Sequence, residues 1–154
     1  MRLENDHDFE ACAAKFGRAK YEVLADGAVY DGEPAVAGFL DENLLAFPDF
    51  HFEPTRISPA PEVVVVEGRF QGTHEGPWRG LPATGRRVDF PMCLVFEFEG
   101  DSMVNERIYM DLSTPLRQLG VAFDPNSTRF KVVTAVSHPV TLTRALFRRI
   151  TRRG

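Results

Sequence analysis

Cysteine is scarce in this chain, with only Cys12 and Cys93 among 154 residues. Two cysteines cannot build a disulfide framework and suit a reducing compartment, so a cytoplasmic protein is expected. Long hydrophobic runs are missing as well, and no stretch approaches the ~18 consecutive apolar residues that a membrane-spanning helix needs. Positive charge is not in excess. Eighteen Lys and Arg against twenty-two Asp and Glu give a formal net charge of -4 and a pI near 5.6. That balance removes any general electrostatic reason to expect a nucleic-acid partner. His7, His51, His74 and His138 are scattered, with no pair at metal-ligand spacing, so neither metal nor cofactor is expected. No Gly-x-Ser-x-Gly elbow and no Gly-Lys-Ser/Thr phosphate loop occurs. The start, MRLENDHDFE, is acidic and lacks the apolar core of a secretory signal.

What is present is a strand pattern of period two. Val88, Phe90, Met92, Leu94, Phe96 and Phe98 are all apolar, while the positions between them, beginning with Arg87 and Asp89, are largely polar. Alternate side chains share a face of a pleated strand, so one face is predicted buried and the other wet. The next segment repeats the pattern with Val104, Glu106, Ile108 and Met110. Glu106 is thus a carboxylate on a face that should be apolar.

The remaining elements follow from punctuation and spacing. A short helix is predicted over residues 8–16, and Tyr21, Val23 and Val29 suit short extended pieces. A second helix begins at Glu33-Pro34, because proline is tolerated in a first turn. Val36, Phe39, Leu40, Leu44 and Phe47 then fall at the spacing that buries one side. Strands are predicted over residues 51–57 and from Val63 to about Phe70, with Ser58-Pro59-Ala60-Pro61 as the turn between them. A miniature helix follows near Ser113, with Ser113 or Thr114 as cap, Pro115 in its first turn and Gly120 as its stop. Residues 131–136 read as one more short strand. Pro139 opens a terminal helix carrying Arg144, Arg148, Arg149, Arg152 and Arg153, which reads either as a solubilising tail or as a helix that binds an anionic surface, such as a membrane interface, or a partner protein. Helices followed by consecutive strands argue for an α+β domain over residues 1–120, with residues 121–154 as a C-terminal extension.

The run GTHEGPWRGLPATGRRVDF, the apolar strand after it, then ERIYMD and LRQLG, together with LLAFPDFHFE upstream, resembles the SnoaL-like polyketide cyclase group of the nuclear transport factor 2-like superfamily. The resemblance implies a cone-shaped, curved antiparallel sheet covered by N-terminal helices, an interior pocket, and a homodimer through the outer sheet face. It also implies an aspartate on the last long strand and an assisting histidine on the preceding one. Aligned on LRQLG, those positions hold Ile108 and Leu94. The fold and pocket are therefore expected here, but not that pair's aldol chemistry. Both positions lie on the even face, which again puts Glu106 on the pocket side.

Glu106 is the candidate catalytic residue. A carboxyl among Met92, Leu94, Phe96 and Ile108 would be poorly solvated, which favours its neutral form and poises it for general acid/base work. The competing reading is a structural ion pair. Met92, Leu94, Phe96, Ile108, Met110, Trp78 and Tyr21 are the candidate substrate-binding residues. Trp78 and His74 lie on the Gly/Pro-rich connection, where Trp78 either closes a pocket mouth or packs beneath the loop, and His74 holds the turn by a hydrogen bond. Asp111 reads as a cap for the helix after it. The expected partner is a small hydrophobic molecule, bound either by a cofactor-independent acid/base enzyme or by a non-catalytic carrier.

Overall fold

A computed structural model of the chain describes residues 19–140, so the predicted helix over residues 8–16 and the arginine-rich segment beyond residue 140 lie outside the described residues. The chain divides into two compact units, Met1–Leu119 and Gly120–Gly154.

In the first unit, strands β1 (Lys20–Val23) and β2 (Ala28–Asp31) precede helix α1 (Glu33–Ala46). Strands β3 (His51–Ala60), β4 (Val63–Thr73), β5 (Arg87–Glu99) and β6 (Ser102–Met110) follow, then the short helix α2 (Ser113–Gln118). The six strands form one sheet in the order β2-β1-β6-β5-β4-β3. β1 runs parallel to β6 and every other pairing is antiparallel, so the curved sheet is mixed rather than wholly antiparallel as predicted. α1 packs on β1 and β2. Gly32 precedes it at φ 92°, Pro34 sits in its first turn, and Val36 and Leu40 are its buried residues along with Ala46.

The alternation read on β5 is the alternation observed: Val88, Phe90, Leu94 and Phe96 are buried, and Arg87, Asp89 and Pro91 are exposed. On β6 the expected even series breaks once. Phe98 pairs with Met103 while Glu97 pairs with Asn105, so Val104 is the extra residue of a β-bulge. Met103 packs against the core in the place predicted for Val104. β3 also departs from expectation, because it runs through Ser58-Pro59-Ala60 to residue 60. Its only partner among the described residues is β4, and an edge strand can hold prolines without breaking a ladder on its other side.

Of the caps read for α2, Asp111 rather than Ser113 or Thr114 holds its start. Ser113 and Thr114 are held by Asp111, whose carboxylate accepts from the Ser113 amide at 2.9 Å, the Ser113 hydroxyl at 2.9 Å and the Thr114 hydroxyl at 2.7 Å. The Thr114 and Ser113 hydrogen bonds hold the Asp111 carboxyl below its ordinary range.

The core falls into two clusters. Tyr21, Val23, Val36, Leu40, Phe52, Val66, Leu94, Phe96 and Ile108 form one. Ala46, Phe47, Phe50, Trp78, Val88, Phe90 and Leu119 form the other, and Met92 and Met110 touch both. Burying each large apolar side chain stabilises the fold by roughly 1.5–3 kcal/mol.

In the second unit, α3 (Thr128–Ser137) replaces the strand predicted over residues 131–136. Its valines favour strands, but Ser127 caps a helix there by accepting from the Phe130 amide at 3.1 Å. Strand propensity is a statement about fitting a half-buried sheet surface, and no sheet partner is present in this unit among the described residues.

Candidate functional site

A cavity of about 100 Å³ lies between the two core clusters. β5 and β6 supply Phe90, Met92, Leu94, Glu106, Ile108 and Met110, and β1 supplies Tyr21. Phe50, Phe52 and Phe70 close one side. α1 presents Phe39 and Asn43, with Phe47 just past its end, a row spaced by four residues and so on one helical face. Trp78 and Arg79 of the connection between β4 and β5 complete the wall.

Glu106 is 2% exposed and Tyr21 1%. Their neighbours are almost all aromatic or aliphatic, so the Glu106 carboxyl borders a space from which bulk water is largely removed. Arg107, the next residue, points to the other face. There it pairs with Glu97 and lies 3.9 Å from Glu22, while the Asn105 amide donates to Glu97 at 3.0 Å. The arginine beside Glu106 in sequence is thus engaged outside the cavity.

Of the residues singled out in the sequence, Glu106, Tyr21, Trp78, Met92, Leu94, Ile108 and Met110 come together around this cavity. Phe96 is buried in the adjoining cluster and is not among the lining residues. Sequence reasoning did not name Phe39, Asn43, Phe47, Phe50, Phe52, Phe70, Arg79 or Phe90 as pocket residues. Asn43 did leave a signal, since it is a polar residue on the row between Phe39 and Phe47. Its side-chain amide donates to the Phe39 carbonyl at 2.7 Å.

The connection is fixed at its base. The Glu75 and Gly76 amides donate to the Ala46 carbonyl at 2.9 and 3.2 Å. A Cβ on Gly76 would lie 2.1 Å from the Leu45 carbonyl oxygen, so only glycine allows this approach. His74 is fully buried. Its Nδ1 accepts from the Thr84 amide at 3.3 Å and lies 3.1 Å from the Thr84 hydroxyl, which places the neutral ring's proton on Nε2. Nε2 has no hydrogen-bond partner among the described residues. Burial pushes the His74 pKa below its ordinary value.

At its tip the connection makes a two-residue hairpin. Trp78 and Leu81 exchange backbone hydrogen bonds at 3.0 and 2.8 Å around Arg79 (φ 51°) and Gly80 (φ 78°). Positive φ at both central residues is the signature of a type I′ turn. The Arg79 guanidinium lies 5.3 Å over the Trp78 ring and pairs with Asp26 of the β1–β2 turn. Burial works to raise the Asp26 pKa, but the Arg79 and Ala28 hydrogen bonds outweigh it and hold the carboxyl below its usual range.

Among the described residues no three His, Cys, Asp or Glu side chains converge as a metal-binding group, and no helix is long and apolar enough to cross a membrane.

Comparison with known proteins agrees with this geometry. No curated protein matches the chain. Among solved structures, AclR from Streptomyces galilaeus, a proposed hydroxylase, superposes with a TM-score of 0.71 at 18% identity, covering 85% of this chain and 86% of that one. IdmH from Streptomyces antibioticus, a proposed polyketide cyclase, gives 0.66 at 22% identity, covering 78% and 92%. A protein with a ketosteroid isomerase-like fold from Catenulispora acidiphila, solved with trimethylamine, gives 0.67 at 20% identity, covering 78% and 88%. At these identities the likeness speaks for the fold. The model of the SnoaL-like polyketide cyclase family matches residues 3–119, three quarters of the chain and the whole sheet, and the protein belongs to that family.

Proposed function

We propose that this protein is a cofactor-independent acid/base enzyme acting on a small apolar molecule that bears a carbonyl or an epoxide, with Glu106 as the group that moves the proton. The observation that carries this reading is a single carboxyl, 2% exposed, on the wall of a cavity lined mainly by aromatic and aliphatic side chains. A carboxyl so placed can take a proton from the carbon beside a carbonyl and return it elsewhere, or protonate an epoxide oxygen as the ring opens. Dry, fixed surroundings strengthen such a step. Isomerisation, ring closure and hydrolysis are the reaction classes that fit. Turnover of small cyclic enones, ketones and epoxides tests the reading. Glu106→Gln keeps the shape and should lower kcat by about 10²–10⁴-fold, and an unchanged rate would sink it.

A second reading is a carrier that holds a hydrophobic metabolite without converting it. Leu94 and Ile108, which stand where the family resemblance implies a histidine and an aspartate, favour it. Under this reading no product forms, and Glu106→Gln changes ligand affinity only modestly.

We also propose a homodimer through the outer face of the sheet. Pro91, Cys93 and the exposed Tyr109 line a broad cleft there beside Thr55, Glu67 and Arg69. Sedimentation equilibrium of the purified chain distinguishes dimer from monomer.

A further inference from the structure

The cavity beside Glu106 is small for its surroundings. About 100 Å³ accommodates one ring-sized group, whereas ligand pockets commonly measure roughly 300–1,000 Å³. A second cleft of about 370 Å³ lies directly outside it, lined by Tyr30, Glu42, Leu45, Pro77 and Gly80. Phe39, Asn43, Trp78 and Arg79 line both spaces and are therefore the partition between them.

Arg79 takes its left-handed backbone from the type I′ turn that the Trp78–Leu81 hydrogen bonds close. Across the partition the tip is tied to the β1–β2 turn through the Asp26 ion pair, with the Arg79 guanidinium over the Trp78 ring. Movement is confined to the hairpin tip, because residues 74–76 are pinned to the end of α1 through the Ala46 carbonyl and the close approach at Gly76.

We propose that the inner cavity and the outer cleft are two chambers of one site, joined when the Trp78–Arg79 tip swings away from Asp26. The ligand is then elongated, with an apolar ring beside Glu106 and an oxygen acceptor, carbonyl or carboxylate, at the outer end. Arg79 is the only cationic residue among the described lining residues of either chamber. It uses one nitrogen on Asp26 and keeps further N–H groups for such an acceptor. Asn43 stands beside it with a second amide N–H. This inference rests on reading the cavity as a ligand site, though not on Glu106 being catalytic.

The chain's single tryptophan, Trp78, is in the partition, so intrinsic fluorescence reports its movement directly. Benzoate and biphenyl-4-carboxylate serve as probes that fit one chamber and two. Biphenyl-4-carboxylate is expected to bind at least tenfold more tightly than benzoate, with a change in Trp78 fluorescence. Asp26→Asn, outside both chambers, should speed its association several-fold by stopped flow. Arg79→Ala breaks the same ion pair from the other side, and it should also speed association while weakening affinity about tenfold. It carries the test if Asp26→Asn does not fold. Equal binding of the two probes, or association rates unmoved by both variants, overturns the proposal. These readouts do not involve turnover: an inert Glu106→Gln substitution beside normal probe kinetics would remove the catalytic reading alone.

Discussion

Tyr21 and Glu106 are register partners in the parallel pairing of β1 with β6, and both face the cavity. A strand of four residues thereby sets a phenol beside the buried carboxyl. If the Tyr21 hydroxyl orients the substrate's oxygen, Tyr21→Phe should lower kcat/KM about tenfold, corresponding to about 1.4 kcal/mol of lost transition-state binding. The ring remains, so the melting temperature should move by no more than a few degrees. Kinetics and thermal unfolding of the same variant separate the two effects.

His74 makes stability depend on pH. Its pKa in the fold is depressed by burial below the ordinary value of 6.5. Between the two values the unfolded chain binds more protons, so stability is full above about 6.5 and declines as pH falls through that point. Urea unfolding of the wild type and His74→Gln from pH 8 to 5 should show a shallower decline in the variant. Parallel curves would mean that the His74 proton is not linked to folding.

Gly76→Ala should be among the costlier loop substitutions, since the position is buried. The new Cβ collides with backbone, which cannot rotate away as a side chain tip does. Overpacking of this kind costs about 1–3 kcal/mol, and calorimetry should show a drop of several degrees in melting temperature.

Leu94→Ala removes a buried side chain, 4% exposed, from the cavity wall. The expected cost is about 2–5 kcal/mol. The enlarged space is apolar, so single-ring hydrocarbons such as toluene should bind more tightly in the variant, and titration calorimetry would register the gain.

The sheet was legible in the sequence because its signal is local. Alternation on β5 needs only the residues of β5, and the face it marks is the face that is buried. Asp111 and α1 were legible for the same reason, since caps and helix stripes are written within a few residues. The pocket was legible in part. Met92, Leu94 and Ile108 follow from strand phase, but Phe50, Phe52 and Phe70 reach the cavity only through the sheet's curvature, which no single strand encodes. Arg79 was missed because its role comes from Asp26, 53 residues away. The helix α3 was misread because a run of valines was weighed more heavily than the serine that starts it.

The bulge at Val104 decides which chemistry the interior contains. Count back from the turn without it, and Asn105 falls opposite Phe96 while Glu106 falls opposite Val95, on the outside. Ile108 and Met110 would turn outward with it, because a one-residue slip carries every later side chain of a strand to the other face. The interior place of the carboxyl therefore hangs on arithmetic in the backbone.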